Sequence, residues 1–254
     1  MIDDKYITDI DIVLVAGRRP DLVERTLSSF SSLVFKNFNI CDVFVNIDPI
    51  FGDNADHLLT INIVRKFFPN AEIFNPEMAS FGSAVKSLWG KLGSRLAFHL
   101  EDDWIALEMI KPEMLTALLS DDVFALAPTS LSLRPPKKDH QYVMLPEKNK
   151  IWGPFKKKSY YYAMGTAPKF IDGALGRSIS TFMDPNLDPE KQMLKGMNDS
   201  IFEILQTKRC GYILPQKKPF LIEDIGRNWR EQRKIDKIVV DGKSKWVTKD
   251  EQIN

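Results

Sequence analysis

Over the first hundred residues, short apolar, β-branched runs alternate with longer amphipathic stretches, an order that restricts the chain to a sheet with helices packed on its faces. Residues 12–16 have the composition of a strand buried on both sides. The run breaks at Gly17-Arg18-Arg19-Pro20. A helix follows, for which Asp21 and Glu24 predict a capping box, and Leu22, Val23, Leu27 and Phe30 an apolar stripe. Residues 43–47 read as a second strand ending on Asp48-Pro49. Leu58, Leu59, Ile63, Val64 and Phe67 mark a second helix, and residues 72–74 a third strand. Residues 80–92 form a third helix with Phe81, Ala84, Val85, Leu88 and Trp89 inward. Residues 95–100 form a fourth strand that runs into Glu101-Asp102-Asp103-Trp104.

This alternation predicts an α/β fold with a mostly parallel central sheet flanked by helices, and such sheets bind ligands at the carboxyl ends of their strands. Asp48 and the acidic triplet both fall at predicted strand ends. Beyond Trp104 the pattern is less regular. A strand is expected at 123–127, a long excursion at 131–158, a strand at 160–164, and a helix at 189–205 with Pro189 first and Gly196 a weak point. Short strands are expected at 213–214 and 220–222, and the tail from 239 onward carries no site signal.

At 254 residues the chain can bury a full core. The net charge is +1, but residues 1–133 hold 11 basic and 19 acidic groups, residues 134–169 hold 9 and 2, and residues 208–237 hold 9 and 4. That segregation points to an acidic half that holds a metal and a basic half that meets something anionic. Residues 1–6 are polar and acidic, and no apolar run approaches the roughly 18 residues of a membrane span, so neither a signal peptide nor a span is expected. Cys41 and Cys210 lack pairing or metal-ligand spacing, which fits a reducing cytoplasm. No His pair, thiol cluster or Ser-His-Asp spacing argues for hydrolase chemistry, and His99 reads as a packed strand residue.

In an extended chain Glu101 and Asp103 project to one side and Asp102 to the other. Two carboxylates on one side at a strand end suit Mg2+ or Mn2+, which would bridge the phosphates of a nucleotide diphosphate. Asp102 is then left to accept from a ribose hydroxyl. Arg227 and Arg230 are three apart around Trp229 and are expected to share a face, where guanidinium forks suit phosphate oxygens. Lys86 is a weaker phosphate candidate.

The order of these parts resembles family-2-like GT-A glycosyltransferases. Val13-Leu14-Val15 with Gly17-Arg18-Arg19-Pro20 resembles their opening strand and Arg-Pro turn. Val45-Asn46-Ile47-Asp48 resembles the second strand, whose terminal Asp contacts the uracil or its ribose, and Phe98-His99-Leu100-Glu101-Asp102-Asp103 resembles the DXD-type signature. The likeness covers about residues 10–215. It implies a single GT-A domain over 1–254, with a Rossmann-like nucleotide-sugar-binding half at 1–107, an acceptor half at 108–238 and a tail at 239–254. It also implies a UDP-sugar donor touching Ala16, Gly17, Arg18, Arg19 and Asp48. Inverting members carry an acidic base at the start of a late helix. Asn198-Asp199 matches that segment with Asn in place of the usual acid, and Glu190 in Asp188-Pro189-Glu190 competes with Asp199 for the role.

The basic tracts bear on the acceptor. Arg134, Lys137, Lys138, Lys148, Lys150 and Lys156-Lys157-Lys158, next to Tyr160-Tyr161-Tyr162, interleave cations with aromatics, which serves phosphates and an exposed base. The overall form resembles small bacteriophage GT-A enzymes that add a sugar, such as glucose or arabinose, to hydroxymethylated pyrimidines in DNA. That likeness implies double-stranded DNA as partner and, for a phage protein, the host cytoplasm. Two other readings stay open: a GT-A enzyme with a glycan, lipid or protein acceptor, and a non-catalytic nucleic-acid-binding module.

Overall fold

The computed structural model describes residues 8–119, 122–130, 148–152, 155–159, 165–194, 196–240 and 243–248. The four expected strands are β1 (Asp9–Ala16), β2 (Asn39–Ile47), β3 (Glu72–Phe74) and β4 (Leu96–Glu101), joined by α1 (Pro20–Leu33), α2 (Asn54–Phe67) and α3 (Phe81–Gly90). β1 pairs in parallel with β2 and β4, and β2 with β3. There follow β5 (Trp104–Ala106), β6 (Val123–Pro128), β7 (Lys148–Trp152), β8 (Phe155–Ser159), β9 (Lys169–Asp172), α4 (Gly173–Phe182), α5 (Pro189–Gln192), α6 (Asp199–Leu205) and β10 (Arg209–Ile213). The chain continues through β11 (Ile222–Asp224), α7 (Gly226–Gln232), β12 (Ile235–Val240) and β13 (Lys243–Thr248). Seven strands form the main sheet in the order β10-β6-β9-β4-β1-β2-β3, with β9 alone running against its neighbours. The sheet is mostly parallel and helix-flanked, as expected.

The pleat of β1 explains its unbroken apolar run. Ile12 and Leu14 pack with Val23, Leu27, Phe30 and Val64 on one face, and Val13 and Val15 with Val85, Leu88, Trp89 and Ile179 on the other. Each such side chain contributes about 1.5–3 kcal/mol when taken out of water. Phe98 of β4 anchors the first face, its ring centroid 5.5 Å from Phe30 and 4.6 Å from Phe170.

Several local expectations are corrected. α1 begins at Pro20 with Arg19 as an N-cap that makes no side-chain cap, so the capping box at Asp21 does not form. Asp21 instead accepts from Trp229 Nε1 at 3.2 Å. A capping box does open α2, where Asp53 and Asp56 each satisfy the other's backbone N–H. The helix expected over 189–205 is two pieces, α5 and α6, with Gly196 between them at φ +80, a left-handed conformation that glycine adopts without Cβ strain. The excursion contains the β7–β8 hairpin, and the strand expected at 160–164 lies outside the described residues.

His99 is a packed strand residue, as expected. It is wholly buried on β4 and accepts from Trp89 Nε1 at Nδ1, 3.1 Å away. Burial, and then the charge of Lys169, push its pKa down to about 3. The unfolded chain therefore binds a proton that the native state refuses, so stability falls as pH falls through 6.5 toward 3. Between pH 6.5 and 4.5 this group should cost about 2–3 kcal/mol. Urea unfolding of His99→Gln, which keeps an acceptor for Trp89, should show a pH dependence weaker by that amount.

Candidate active site

The carboxyl ends of β1, β2 and β4 are tied together by backbone. Asp48 N donates to Ala16 O at 2.8 Å and Asp102 N to Val15 O at 3.1 Å. β4 ends at Glu101 and β5 begins at Trp104, so Asp102 and Asp103 occupy a turn, and the side-to-side alternation expected for an extended triplet is not kept. Asp102 is only 2% exposed. Its Oδ2 accepts from Gly17 N at 2.9 Å and from Arg19 Nε at 3.1 Å, and its Oδ1 pairs with Arg19 Nη2. Thr26 Oγ1 donates to the Asp102 carbonyl at 2.8 Å. This carboxylate, expected to meet a ribose, organises the β1–α1 turn.

Arg19 also reaches Asp103 Oδ2 at 3.3 Å, and its guanidinium lies 4.9 Å from the Phe51 ring centroid and 5.3 Å from that of Trp229. Burial disfavours its charge, but Asp102, Asp103 and Glu101 more than offset this, and its pKa is raised. Asp103 receives a second guanidinium at Oδ2, from Arg230 Nη1 at 3.3 Å. Its carbonyl accepts from Ile225 N at 2.9 Å and Gly226 N at 3.2 Å. A Cβ on Gly226 would stand 2.1 Å from Asp103 Oδ2, so any larger residue there would displace the Asp103 carboxylate. Burial, then the charges of Asp102 and Asp224, push the Asp103 pKa up to about 6 against the pull of both arginines.

Asp224 was not singled out from the sequence. It reaches the site because β11 pairs antiparallel with β5 and sets it opposite Trp104, one residue from Asp103. Its Oδ1 accepts from Gly226 N at 2.9 Å and its Oδ2 from Arg227 Nε at 3.0 Å. The two arginines of α7 thus engage two different carboxylates. Trp229 between them is buried. The tail, expected to carry no site signal, supplies Trp246. Its ring lies 5.0 Å from Phe51 and 5.7 Å from the Arg230 guanidinium.

Asp48 is buried and accepts from Asn46 Nδ2 at 2.7 Å and from Ser80 N at 3.2 Å; burial first, and then Asp102, raise its pKa. Ser80 caps α3 and donates to Pro185 O at 3.1 Å, while a Cβ on Gly82 would meet Leu187 O at 2.4 Å. The segment carrying α5 is therefore clamped against the start of α3. Glu190 on that segment accepts from Thr166 N at 2.7 Å and Thr166 Oγ1 at 3.0 Å. Lys169 is wholly buried nearby and donates from Nζ to Gly165 O; burial lowers its pKa, while the charges of Cys210, Glu190 and Glu101 favour its cation. Asp199 is exposed on the first turn of α6. Of the two candidate bases, Glu190 is the one within electrostatic reach of Lys169.

Neither a protein-family model nor a curated protein matches the sequence. Solved structures do match in fold. A mannosyltransferase from Pyrobaculum calidifontis, in complex with GDP-Man and Mn2+, aligns over 88% of this chain and 60% of its own length at TM-score 0.51 and 10% identity. S. aureus TarS aligns over 85% of this chain and 36% of its own at TM-score 0.53 and 11% identity. The fold is GT-A-like. A putative glucose-1-phosphate thymidylyltransferase from Bacillus anthracis aligns over 88% and 93% of the two chains at TM-score 0.50 and 12% identity. The chain thus spans less than two thirds of the length of the mannosyltransferase and of TarS.

Within this GT-A-like frame the acidic residues can be tested against a divalent cation. Among the described residues no group of three or more His, Cys, Asp or Glu forms a closed cage. Mg2+ and Mn2+ at phosphate sites are held by one or two carboxylates with the phosphates completing the shell. Asp103 and Asp224 fit that pattern in number, because the β5–β11 pairing brings these two carboxylates within electrostatic reach of each other. Glu101, expected as the companion of Asp103, shares the face of His99 on β4 and lies within electrostatic reach of Lys169, which the register sets opposite His99. Lys86 donates to Met183 O at 2.5 Å, a tie within the fold, and Arg18 donates to Asn54 Oδ1 at 3.1 Å. Arg134, Lys137, Lys138, Tyr160 and Tyr161 lie outside the described residues, and Lys156, Lys157 and Lys158 are placed by the backbone of β8.

Proposed function

We propose that this chain is a nucleotide-sugar-dependent glycosyltransferase that moves a sugar from a UDP-sugar to an acceptor hydroxyl. The observation that carries the reading is the convergence of Asp103 and Asp224 with Arg19 and Arg230 at the carboxyl end of a GT-A-like sheet. A divalent cation held by Asp103 and Asp224 would neutralise the diphosphate leaving group. Asp48, with Ser80 N beside it, suits the nucleoside, and Arg227 and Arg230 suit the diphosphate oxygens. Glu190 takes the proton from the acceptor hydroxyl as its oxygen bonds to the anomeric carbon and the bond to the diphosphate breaks, which inverts that carbon. Glu190→Gln should lower turnover at least about 100-fold with little change in donor affinity. Asp199→Asn should stay near wild type, and the reverse ranking would reassign the base.

For the acceptor we propose 5-hydroxymethylcytosine or a related hydroxymethylated base in DNA. The support is the balance of 9 basic to 2 acidic residues over 134–169, interleaved with aromatics. The test is incubation with UDP-sugars and GDP-mannose, Mn2+ and hydroxymethylcytosine-containing DNA, read by nucleoside mass spectrometry. A sugar-sized mass shift supports the whole reading. Nucleotide release without any shift removes the DNA acceptor and leaves a glycosyltransferase with a glycan, lipid or protein acceptor. Neither release nor shift removes the enzyme and leaves a binding module.

A further inference from the structure

The β7–β8 hairpin divides the lysine tract in a way its linear order does not show. The register pairs Lys148 with Ser159, Asn149 with Lys158, Lys150 with Lys157, Ile151 with Lys156 and Trp152 with Phe155. Alternate pairs share a face. Lys148, Lys150 and Lys157 therefore fall on one face together with Trp152 and Phe155, and Lys156 and Lys158 fall on the other with Asn149 and Ile151. The first face sets two lysines directly opposite each other, a cross-strand arrangement that destabilises a bare hairpin and that bound anions relieve. The pair closest to the hairpin turn on that face is aromatic on both strands. The opposite face has no like-charge pair.

The excursion that carries this hairpin begins and ends beside the candidate active site. Ser130 follows β6, a strand parallel to β10 whose end is tied to that strand's by Thr129 N donating to Ile213 O. Thr166, just before β9, holds Glu190, and β9 begins opposite His99 near the carboxyl end of β4. The excursion thus leaves and returns at the edge of the sheet where transfer is proposed.

We propose that the face bearing Lys148, Lys150, Lys157, Trp152 and Phe155 is a DNA-binding surface, its lysines tracking backbone phosphates and its aromatic pair meeting a base out of the stack. This rests on the DNA-acceptor reading above. Cations alone fit any polyanion, but cations with a terminal aromatic pair fit a polymer that offers both phosphates and π-faces.

The test is the salt dependence of binding of the full chain to a fluorescently labelled DNA carrying hydroxymethylcytosine. The variants are Lys148→Ala/Lys150→Ala/Lys157→Ala and, for the other face, Lys156→Ala/Lys158→Ala, each checked for an unchanged unfolding midpoint. Each phosphate contact contributes about 0.9 to the slope of log K against log salt. The triple variant should lose a slope of about 2–3 and at least tenfold in affinity at low salt, and the double variant a slope under about 1. Lys→Arg at the same three positions should restore the slope. Equal losses in both variants, or none in either, overturn the assignment of the face while the acceptor reading stands on its own mass shift. Absence of salt-sensitive binding by the wild-type chain overturns the surface outright.

Discussion

Asp103→Asn should lower transfer by on the order of a thousandfold or more and leave the fold standing. The carboxylate is proposed to help hold the cation that meets the leaving diphosphate, an electrostatic contribution of several kcal/mol, about 1.4 kcal/mol per tenfold in rate. The contacts that secure the turn are made by the Asp103 carbonyl, which accepts from Ile225 N and Gly226 N, and these survive the change. The charge itself does not stabilise the native state. With the folded pKa raised to about 6 from an ordinary value of 3.8, the native state holds a proton that the unfolded chain releases, so this group's contribution falls as pH rises from about 4 to 6. The amide lacks that loss, so at pH 7 the variant should be no less stable than wild type, and more stable by up to about 3 kcal/mol. Nucleotide release and a denaturant midpoint measured on one preparation decide the matter. Turnover within tenfold of wild type would remove Asp103 from the centre of the mechanism.

The first part of the chain was legible because its central strands, β1 and β4, are buried on both faces. Residues such as Ile12 to Ala16 then read as unbroken apolar runs, and the helices between them show their inner faces at helical spacing. β9 was not legible. It is four residues long, begins with a lysine and owes its place to antiparallel neighbours on both sides. α4 opens on Gly173, where a Cβ would stand 2.3 Å from Arg95 O, and carries Gly176 against the side chains of Ile171 and Leu92, and those glycines hide a helix from a propensity reading.

The position of the acidic triplet was legible and its geometry was not. Strand alternation assigned Glu101 and Asp103 to one side, but the chain turns at Asp102, so Asp102 and Asp103 meet on Arg19 and the second carboxylate beside Asp103 is Asp224. A pairing between β5 and β11, remote in sequence, brings Asp224 there, and no local pattern announces it. The proposal of Glu190 over Asp199 as the base rests on a tertiary fact of the same kind. Gly82 lets the segment carrying α5 approach α3, and that brings Glu190 to Thr166.

Arg19→Ala should be the most destabilising single change at the site, at about 3–5 kcal/mol, because it leaves Asp102 charged and buried without its ionic partner. Gly17 N alone would remain on that carboxylate, and the stacking against Phe51 and Trp229 would be lost as well. Arg19→Lys restores the charge but not the fork that spans both Asp102 oxygens and reaches Asp103, so it should recover only part of the loss. The double variant Arg19→Ala/Asp102→Asn separates an unpaired charge from lost packing. If the orphaned carboxylate dominates, the double variant should be more stable than Arg19→Ala alone; if packing dominates, it should be less stable. Urea midpoints of the three proteins decide it, and a cost below about 1 kcal/mol for Arg19→Ala would refute the role given to the pair. Donor binding should follow stability through this series. The guanidinium that neutralises Asp102 also faces Asp103 and the Phe51–Trp229 pair, so the turn cannot loosen without moving the carboxylate proposed to hold the cation.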